Sequence, residues 1–358
     1  MSKMPMTGKA KKNDGLNTDS LKNSAFLQSG IKKALPLVVS GLLLYYYFRD
    51  QDWGALLAAA SRAEIQTAVL AILIPQLIIW VFDVLIIDRH FRWFHAPFDW
   101  RAFFWVRGAF YIILLVNYTI GGGGLLLYLQ RKTRMTWARL MGICLFRFGL
   151  TMFGICLLLI PATLAMQYSD LAAKARINMH LWWGGLIFST LWMIESWTYW
   201  HHKRGAGLSS LLAGNRESEF WTAFQNASRK QWLLTWAMGL PPILIMLSGI
   251  YILALAFNIR IPLAEYIVVA PLMFAIADLP VSFGGFGTMT MAWFLFFGDY
   301  GASEDIAALT LFLPAVRAVI RAAIGMVSLP FAMKDVPTLI NGSIPGITDQ
   351  PPPEPGEA

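Results

Sequence analysis

Long apolar stretches separated by short polar connectors dominate the chain, and their lengths predict membrane-spanning helices. A helix rises 1.5 Å per residue, so about 20 apolar residues cross a hydrocarbon core of about 30 Å. Stretches of this kind occupy residues 33–49, 65–87, 136–166, 180–200, 231–257 and 305–333. The pattern therefore predicts an all-α integral membrane protein that forms a polytopic helical bundle.

Two further apolar stretches, 102–130 and 262–299, contain clusters of glycine. The first includes Gly121-Gly122-Gly123-Gly124, and the second includes Pro280-Val281-Ser282-Phe283-Gly284-Gly285-Phe286-Gly287. A glycine inside a helix costs about 1 kcal/mol relative to alanine, and broken backbone is tolerated at membrane depth only where protein or a wet cavity surrounds it. We therefore predict two glycine-broken re-entrant segments whose freed amides form an anion site. The alternative for both is close helix packing through small residues.

The two halves of the predicted bundle follow the same order, which indicates an internal repeat. Each half has two spans, a glycine-broken segment and a long span that carries arginine. Arg147 follows Gly124 in the first half, and Arg317 and Arg321 follow Gly287 in the second. Paired broken segments at corresponding positions are typical of a central binding site in transporters.

Charged residues make up 14% of the chain, against about a quarter in soluble domains. The net charge of +8 is concentrated at the ends of the predicted spans, a pattern that does not favour nucleic-acid binding. Basic connectors mark the cytoplasmic side of a membrane, so residues 90–100, 131–135 and 201–230 are expected there. Both connectors that flank 102–130 are basic, and this segment is therefore expected to enter and leave on one side. We expect a multi-pass protein of the cytoplasmic (inner) membrane.

The two ends of the chain differ from the apolar region between them. The first 30 residues are polar and basic, and the last residues contain a proline-rich run. Such compositions favour disorder. We expect a basic cytoplasmic tail over 1–30, a polytopic transmembrane domain over 31–335 and a proline-rich disordered tail over 336–358.

A charge at membrane depth costs about 3 kcal/mol or more, so each one requires a partner or a function. The ionisable residues of the predicted apolar segments are Asp83, Arg107, Arg147, Glu195, Asp278, Arg317 and Arg321. Internal pairing with arginine is one explanation of Asp83 and Glu195, and Arg107 alternatively extends toward the cytoplasmic face. Because four arginines face three acids, one-to-one pairing cannot neutralise them all. Arg147, Arg317 and Arg321 are therefore candidates for phosphate binding, with structural pairing as the alternative.

The residue types that usually carry catalysis or metal binding lack the required spacing. The five histidines and two cysteines form no metal-spaced set. The sequence also contains no P-loop, dinucleotide fingerprint or nucleophile elbow. We therefore predict no enzymatic activity, no catalytic residue, no metal site and no cofactor.

The motif Pro280-x-Ser282-x-Gly284-Gly285-x-Gly287 resembles the second glycine motif of the lysylphosphatidylglycerol synthase transmembrane family, whose members are flippase-like membrane proteins. Asn117-Tyr118, the glycines after them and the segment Leu140–Leu150 with Arg147 resemble the first motif, and the resemblance covers roughly residues 34–333. It implies two re-entrant segments that meet near the membrane centre and movement of phospholipids or lipid-linked compounds between leaflets. The chain lacks the aminoacyl-transfer domain of the full synthases, so we do not expect synthesis of lysyl lipid.

The expected function is that of a lipid translocase whose partners are membrane lipids with anionic headgroups. The alternative is an accessory subunit of a membrane-lipid or envelope-glycan biosynthesis complex, docked through the basic tail. A membrane enzyme would need interfacial carboxylates or histidines in a catalytic arrangement. The expected substrate-binding residues are Asn117, Gly123, Gly124, Arg147, Pro280, Ser282, Gly284, Gly285, Gly287, Arg317 and Arg321.

Overall fold

A computed structural model describes residues 41–42, 44–49, 52–95, 99–116, 118–167, 179–202, 208–213, 218–277 and 287–334. Over these residues the chain forms helices and turns, with no strand, which confirms the all-α prediction. The helices are α1 (41–42 and 44–48), α2 (Trp53–Arg62), α3 (Ile65–Phe94), α4 (Trp100–Val116), α5 (Tyr118–Thr133), α6 (Trp137–Gln167), α7 (Met179–His202), α8 (Leu208–Ala213), α9 (Thr222–Asn226), α10 (Arg229–Ala256), α11 (Leu263–Ala277), α12 (Thr288–Phe297) and α13 (Ser303–Ala332). Short 3₁₀ turns cover Glu219–Trp221 and Gly298–Tyr300.

Three helices of the described part of the chain, α3, α10 and α13, are long and apolar enough to cross a membrane. They correspond to three predicted spans, and α6 and α7 occupy two others. The predicted tails, and most of the predicted first span, lie outside the described residues.

The end of α3 corrects one predicted boundary. This helix continues to Phe94, so Arg92, which belongs to the predicted connector 90–100, lies in its last turn. Arg92 remains helical because its Nε donates to Asp88 Oδ2 at 2.8 Å, one turn earlier. Such i, i+4 ion pairs support a helix end.

Helices α3 and α10 pack antiparallel along their length. At one end, the backbone amide of Glu64 donates to the carbonyl oxygen of Ala256 at 3.0 Å. At the other end, His90 Nε2 lies 3.0 Å from Thr235 Oγ1. Between them, a Cβ on Gly249 would lie 2.5 Å from both the Ala71 carbonyl oxygen and Pro75 Cγ, so glycine permits this close approach.

Helices α4 and α5 form an antiparallel helical hairpin over the first glycine-rich stretch. A Cβ on Gly124 would lie 2.7 Å from Phe110 Cε1, and one on Gly121 would lie 2.8 Å from the Leu114 side chain. Residues that face each other are therefore closer in sequence toward the junction between the end of α4 at Val116 and the start of α5 at Tyr118. A chain folded in this way returns to the end of the bundle from which it started, as a re-entrant segment must.

The four glycines of this stretch do not break the helix, contrary to the prediction. Residues 121–124 lie within the regular turns of α5. The glycines at 121 and 124 face α4, where they leave room for its side chains, whereas nothing lies within 4 Å of a Cβ built on Gly122 or Gly123. Close packing through small residues, the alternative from the sequence, accounts for two of the four.

The second glycine-rich stretch contributes a second pair of helices, α11 and α12. The rings of Tyr266 and Phe297, near the outer ends of this pair, lie 5.9 Å apart. Gly287 has φ 89° and caps the start of α12, a left-handed conformation that strongly favours glycine. Residues 278–286 lie outside the described residues.

The connectors collect at two opposite ends of the bundle. At the end that we call the basic end, Arg139 Nη2 donates to the Phe94 carbonyl oxygen at 2.6 Å, and His95 Nε2 lies 3.0 Å from the Thr133 carbonyl oxygen. These contacts join the ends of α3 and α5 to the start of α6. Two basic connectors thus meet at one end, as their predicted common side requires.

The opposite end is held by its own polar contacts. Arg62 Nη2 pairs with Asp305 Oδ1 at 3.3 Å, and the amide of Arg260 donates to the Tyr300 carbonyl oxygen at 3.2 Å. Burial, and then a hydrogen bond that its hydroxyl donates to Glu265, raises the pKa of Tyr300 to about 12. Tyr300 therefore stays protonated at neutral pH and links the start of α11 to the turn before α13.

Candidate functional site

A cavity of about 190 Å³ lies between α3, α4, α10 and α13. Apolar side chains form part of its wall. Its polar lining residues are Gln76, Asp83, Arg107, Tyr111, Arg317 and Arg321.

The cavity is positioned midway between the two ends of the bundle. Arg317 stands at the middle of α13, and Asp83 stands just past the middle of α3. The other wall residues come from the middle of α4 and of α10, such as Arg107 and Met246. In a membrane spanned by α3, α10 and α13, the cavity would lie near the centre of the hydrocarbon core.

Asp83 joins three helices through two arginines. Its Oδ2 accepts a hydrogen bond from Arg107 Nε of α4 at 2.5 Å, and its Oδ1 pairs with the guanidinium of Arg147 of α6. The exposed fractions of the three side chains are 14% for Asp83, 18% for Arg107 and 31% for Arg147. The predicted pairing of Asp83 with arginine is confirmed. Arg107 points inward to this carboxylate, so the alternative in which it extends toward the cytoplasmic face is not observed.

A tyrosine and a glutamine contact the guanidinium groups of Arg107 and Arg321. The Cζ atoms of Arg107 and Arg321 lie 5.0 and 5.7 Å from the centre of the Tyr111 ring, within the range of cation–π attraction. Arg321 Nε also donates to Gln76 Oε1 at 3.3 Å. Tyr111 and Gln76 are only 3% and 6% exposed, which limits their freedom and therefore that of the arginines they contact.

Neither Tyr111 nor Gln76 was predicted from the sequence. Gln76 interrupts the apolar run Ile74-Pro75-Gln76-Leu77, and a polar side chain in such a run is itself a signal of an internal contact. Tyr111 gave no such signal, because aromatic residues are frequent along the whole chain.

The arginines that the sequence singled out come together at this site. Arg317 and Arg321 line the cavity, one helical turn apart on α13, and Arg147 reaches it through Asp83. Asp83 pairs with Arg107 and Arg147, while Arg317 and Arg321 line the same cavity. Structural pairing of some arginines is therefore compatible with ligand binding in this cavity.

The predicted glycine residues lie elsewhere or outside the described residues. Gly124 packs against Phe110, Gly123 has open space beside it, and Gly287 caps α12. None of these three lines the cavity as the structure describes it. The remaining predicted site residues, which lie outside the described part of the chain, are Asn117, Pro280, Ser282, Gly284 and Gly285.

Glu195 belongs to a different part of the molecule. Its Oε2 accepts a hydrogen bond from the backbone amide of Ser209 at 3.1 Å, which ties α7 to α8. The hydroxyl oxygens of Ser196 and Ser209 lie 2.6 Å apart beside it. Asp278, the third predicted acid, lies outside the described residues.

Guanidinium groups that converge on one cavity can bind an oxyanion. Each guanidinium presents five N–H donors in a planar fork that matches the oxygens of carboxylate or phosphate. Hydrogen bonds of this charge-assisted kind are about twice as strong as neutral ones. The chain has no significant match among protein-family models, curated proteins or solved structures.

Proposed function

We propose that the chain is a polytopic protein of the cytoplasmic membrane that moves a phospholipid or lipid-linked compound between leaflets. In this proposal the arginine-lined cavity binds the anionic, phosphate-bearing headgroup midway across the membrane. The likeness of the glycine motifs to those of the flippase-like family agrees with this function.

The observation that carries the proposal is the composition of the cavity wall. Three arginines, Arg107, Arg317 and Arg321, and one aspartate, Asp83, line a single cavity at the middle of the bundle. Arginine at the centre of a membrane protein is costly and usually marks the path of a substrate or ion. The negative charge of a phosphate group would balance the positive charge of these arginines.

The size of the cavity fits a headgroup and excludes a whole lipid. Its volume of about 190 Å³ is smaller than the roughly 300–1,000 Å³ of ordinary small-molecule pockets. Acyl chains have no need of a pocket, because they are stable in the hydrocarbon around the protein. The barrier to lipid movement is the transfer of the charged headgroup across the core, and a cationic site at half depth lowers that barrier.

The α4–α5 hairpin has a defined part in this proposal. It carries Arg107 and Tyr111 from its first helix into the centre of the bundle. As a re-entrant segment it would enter from the cytoplasmic side. The glycines at 121 and 124, where a Cβ would contact α4, keep the two helices in close contact.

The topology can be tested by cysteine labelling in intact cells, in a variant without Cys144 and Cys156. Thr136→Cys lies at the basic end and Pro262→Cys at the opposite end, and both positions are exposed and uncharged. A membrane-impermeant maleimide is expected to label Pro262→Cys directly, and Thr136→Cys only after permeabilisation. Labelling of Thr136→Cys from outside would exclude the re-entrant topology.

Transport itself can be tested with the purified chain in liposomes. The probes are phosphatidylglycerol and phosphatidic acid, each with a fluorophore on the acyl chain so that the headgroup is unchanged, and dithionite reports the exposed leaflet. We expect either lipid to move faster than in empty liposomes. Arg317→Gln removes a charge-assisted contact worth about 1.5–3 kcal/mol, so transport should slow by at least about ten-fold.

The control for this substitution is Arg229→Gln, since Arg229 is exposed at the start of α10 and far from the cavity. It should leave transport unchanged. Arg317→Lys should restore transport only in part, because lysine keeps the charge and loses the planar fork. Movement of neither lipid above the empty-liposome rate, or equal rates for Arg317→Gln and Arg229→Gln, would contradict the proposal.

A further inference from the structure

We infer that the cavity is selective for a phosphate that carries more than one negative charge, a phosphate monoester or a diphosphate, over a singly charged phosphodiester. The inference rests on the proposed function, in which a phosphate-bearing headgroup enters this cavity. It adds the chemical class of that headgroup.

The side chains around the cavity carry an excess of positive charge. Counted over the described residues alone, Arg107, Arg147, Arg317 and Arg321 contribute four positive charges and Asp83 contributes one negative charge, which leaves +3. If Asp278, which lies outside the described residues, is counted as a further member, the balance is still +2. A phosphodiester supplies one negative charge, whereas a phosphate monoester supplies between about 1.5 and 2 at neutral pH.

The arginines also supply several hydrogen-bond donors to the cavity. Both carboxylate oxygens of Asp83 are already engaged, one with Arg107 and the other with Arg147. Tyr111 and Gln76 fix Arg107 and Arg321 at the same site. A monoester offers three terminal oxygens to these donors, whereas a diester offers two. The oxygens of a monoester therefore accept hydrogen bonds from more of the arginine N–H groups around the phosphate.

The remaining wall of the cavity is apolar. Beside the polar residues, the cavity is lined by apolar side chains such as Ile72, Ile79 and Leu313. A phosphodiester headgroup with a polar alcohol would press hydroxyl or ammonium groups against this wall, where they lose hydrogen bonds to water. A terminal phosphate carries no such substituent. Its single ester oxygen can face the apolar wall and lead into the lipid chain.

The inference is tested on the purified full chain with two small probes that differ by one methyl group and one charge. Methyl phosphate is the monoester and dimethyl phosphate is the diester, and binding is measured by displacement of a fluorescent phosphatidic acid. We expect methyl phosphate to bind at least ten-fold more tightly, a difference of about 1.4 kcal/mol. Equal affinities, or tighter binding of dimethyl phosphate, would overturn the inference without requiring any variant to fold.

The cavity is tied to this preference by substitution. Arg321→Gln should reduce the ratio of the two affinities, and Arg229→Gln should leave it unchanged. If Arg321→Gln does not fold, Arg321→Lys, which retains the charge, should lower both affinities and keep most of the ratio. A ratio that is unaffected by removal of the Arg321 charge would show that the preference arises elsewhere and would overturn the assignment to this cavity.

Liposome transport distinguishes a lipid headgroup from a soluble phosphate as the source of the ligand. Faster movement of phosphatidic acid than of phosphatidylglycerol supports the inference and the proposed function together. Equal or faster movement of phosphatidylglycerol overturns the inference and leaves the proposed function standing. If neither lipid moves while methyl phosphate remains preferred, the site recognises a soluble phosphate, and the proposed function is the part that fails.

Discussion

Replacement of Asp83 by asparagine is expected to lower the free energy of unfolding by about 3–5 kcal/mol, because it removes the negative partner of two largely buried arginines. Asp83 pairs with Arg107 and with Arg147, and the three residues stand on α3, α4 and α6. The neutral amide of asparagine cannot balance the positive charge of either guanidinium group. The substitution would also increase the positive charge beside Arg317 and Arg321 and so add repulsion within the cavity.

The measurement is the midpoint of thermal unfolding of the purified chain in detergent, with and without methyl phosphate. Asp88→Asn is the matched control, since it makes the same change on the same helix, and its partner Arg92 has a side chain that is 43% exposed. Water can solvate Arg92 after the change, so a much smaller loss is expected. Methyl phosphate should restore part of the stability of Asp83→Asn, because its negative charge replaces that of the carboxylate. Equal melting midpoints for Asp83→Asn and Asp88→Asn would contradict the role of Asp83 as a shared partner.

Replacement of Gly142 by alanine is expected to destabilise the chain by about 3 kcal/mol, the upper part of the usual range for overpacking. A Cβ at this position would lie 1.7 Å from the carbonyl oxygen of Phe220, and a backbone atom cannot rotate away as the end of a side chain can. Gly142 is the point where α6 meets the 3₁₀ turn Glu219–Trp221. The substitution must therefore separate that turn from α6 at the basic end.

Gly149→Ala is the matched control for Gly142→Ala. It lies on the same helix, and nothing is within 4 Å of a Cβ built there. Alanine is favoured over glycine in a helix by about 1 kcal/mol, so this variant should be as stable as the parent or slightly more stable. Thermal unfolding of the two purified variants gives the comparison. A Gly142→Ala variant as stable as Gly149→Ala would show that the 3₁₀ turn does not pack against α6 in this way.

The helices could be predicted because their signal lies in consecutive residues. The apolar runs that form α3, α10 and α13 are visible in the sequence, and the structure places helices there. Local chemistry set some boundaries well, such as the start of α10, where Ser228 and Gln231 form a reciprocal capping box. The sequence predicts the end of α3 too early, because a basic residue such as Arg92 favours a connector although its ion pair with Asp88 lies within the helix.

The glycine cluster shows why a local rule can fail. Its composition predicted a break, since glycine is a poor helix former in isolation. In the α4–α5 hairpin, glycine is favoured at positions 121 and 124, because the two helices can approach this closely only where a Cβ is absent. Close packing of the two helices outweighs the small loss of intrinsic helix stability. The position of α4, which the glycine run itself does not encode, is what makes this packing available.

The sequence by itself determined the helical class, the long apolar segments, the three basic connectors and the set of charges within apolar segments. Each of these follows from residues that are adjacent or regularly spaced, so no knowledge of neighbours is needed. The tertiary structure decided which charges meet: Arg107 and Arg147 on one aspartate, and Arg317 and Arg321 on the same cavity. It also decided that Tyr111 and Gln76 belong to the site. These contacts join residues far apart along the chain, and they depend on how the helices are rotated and packed. The sequence does not specify which face of each helix turns inward, because in a membrane both faces of a helix are apolar and the hydrophobic periodicity is weak.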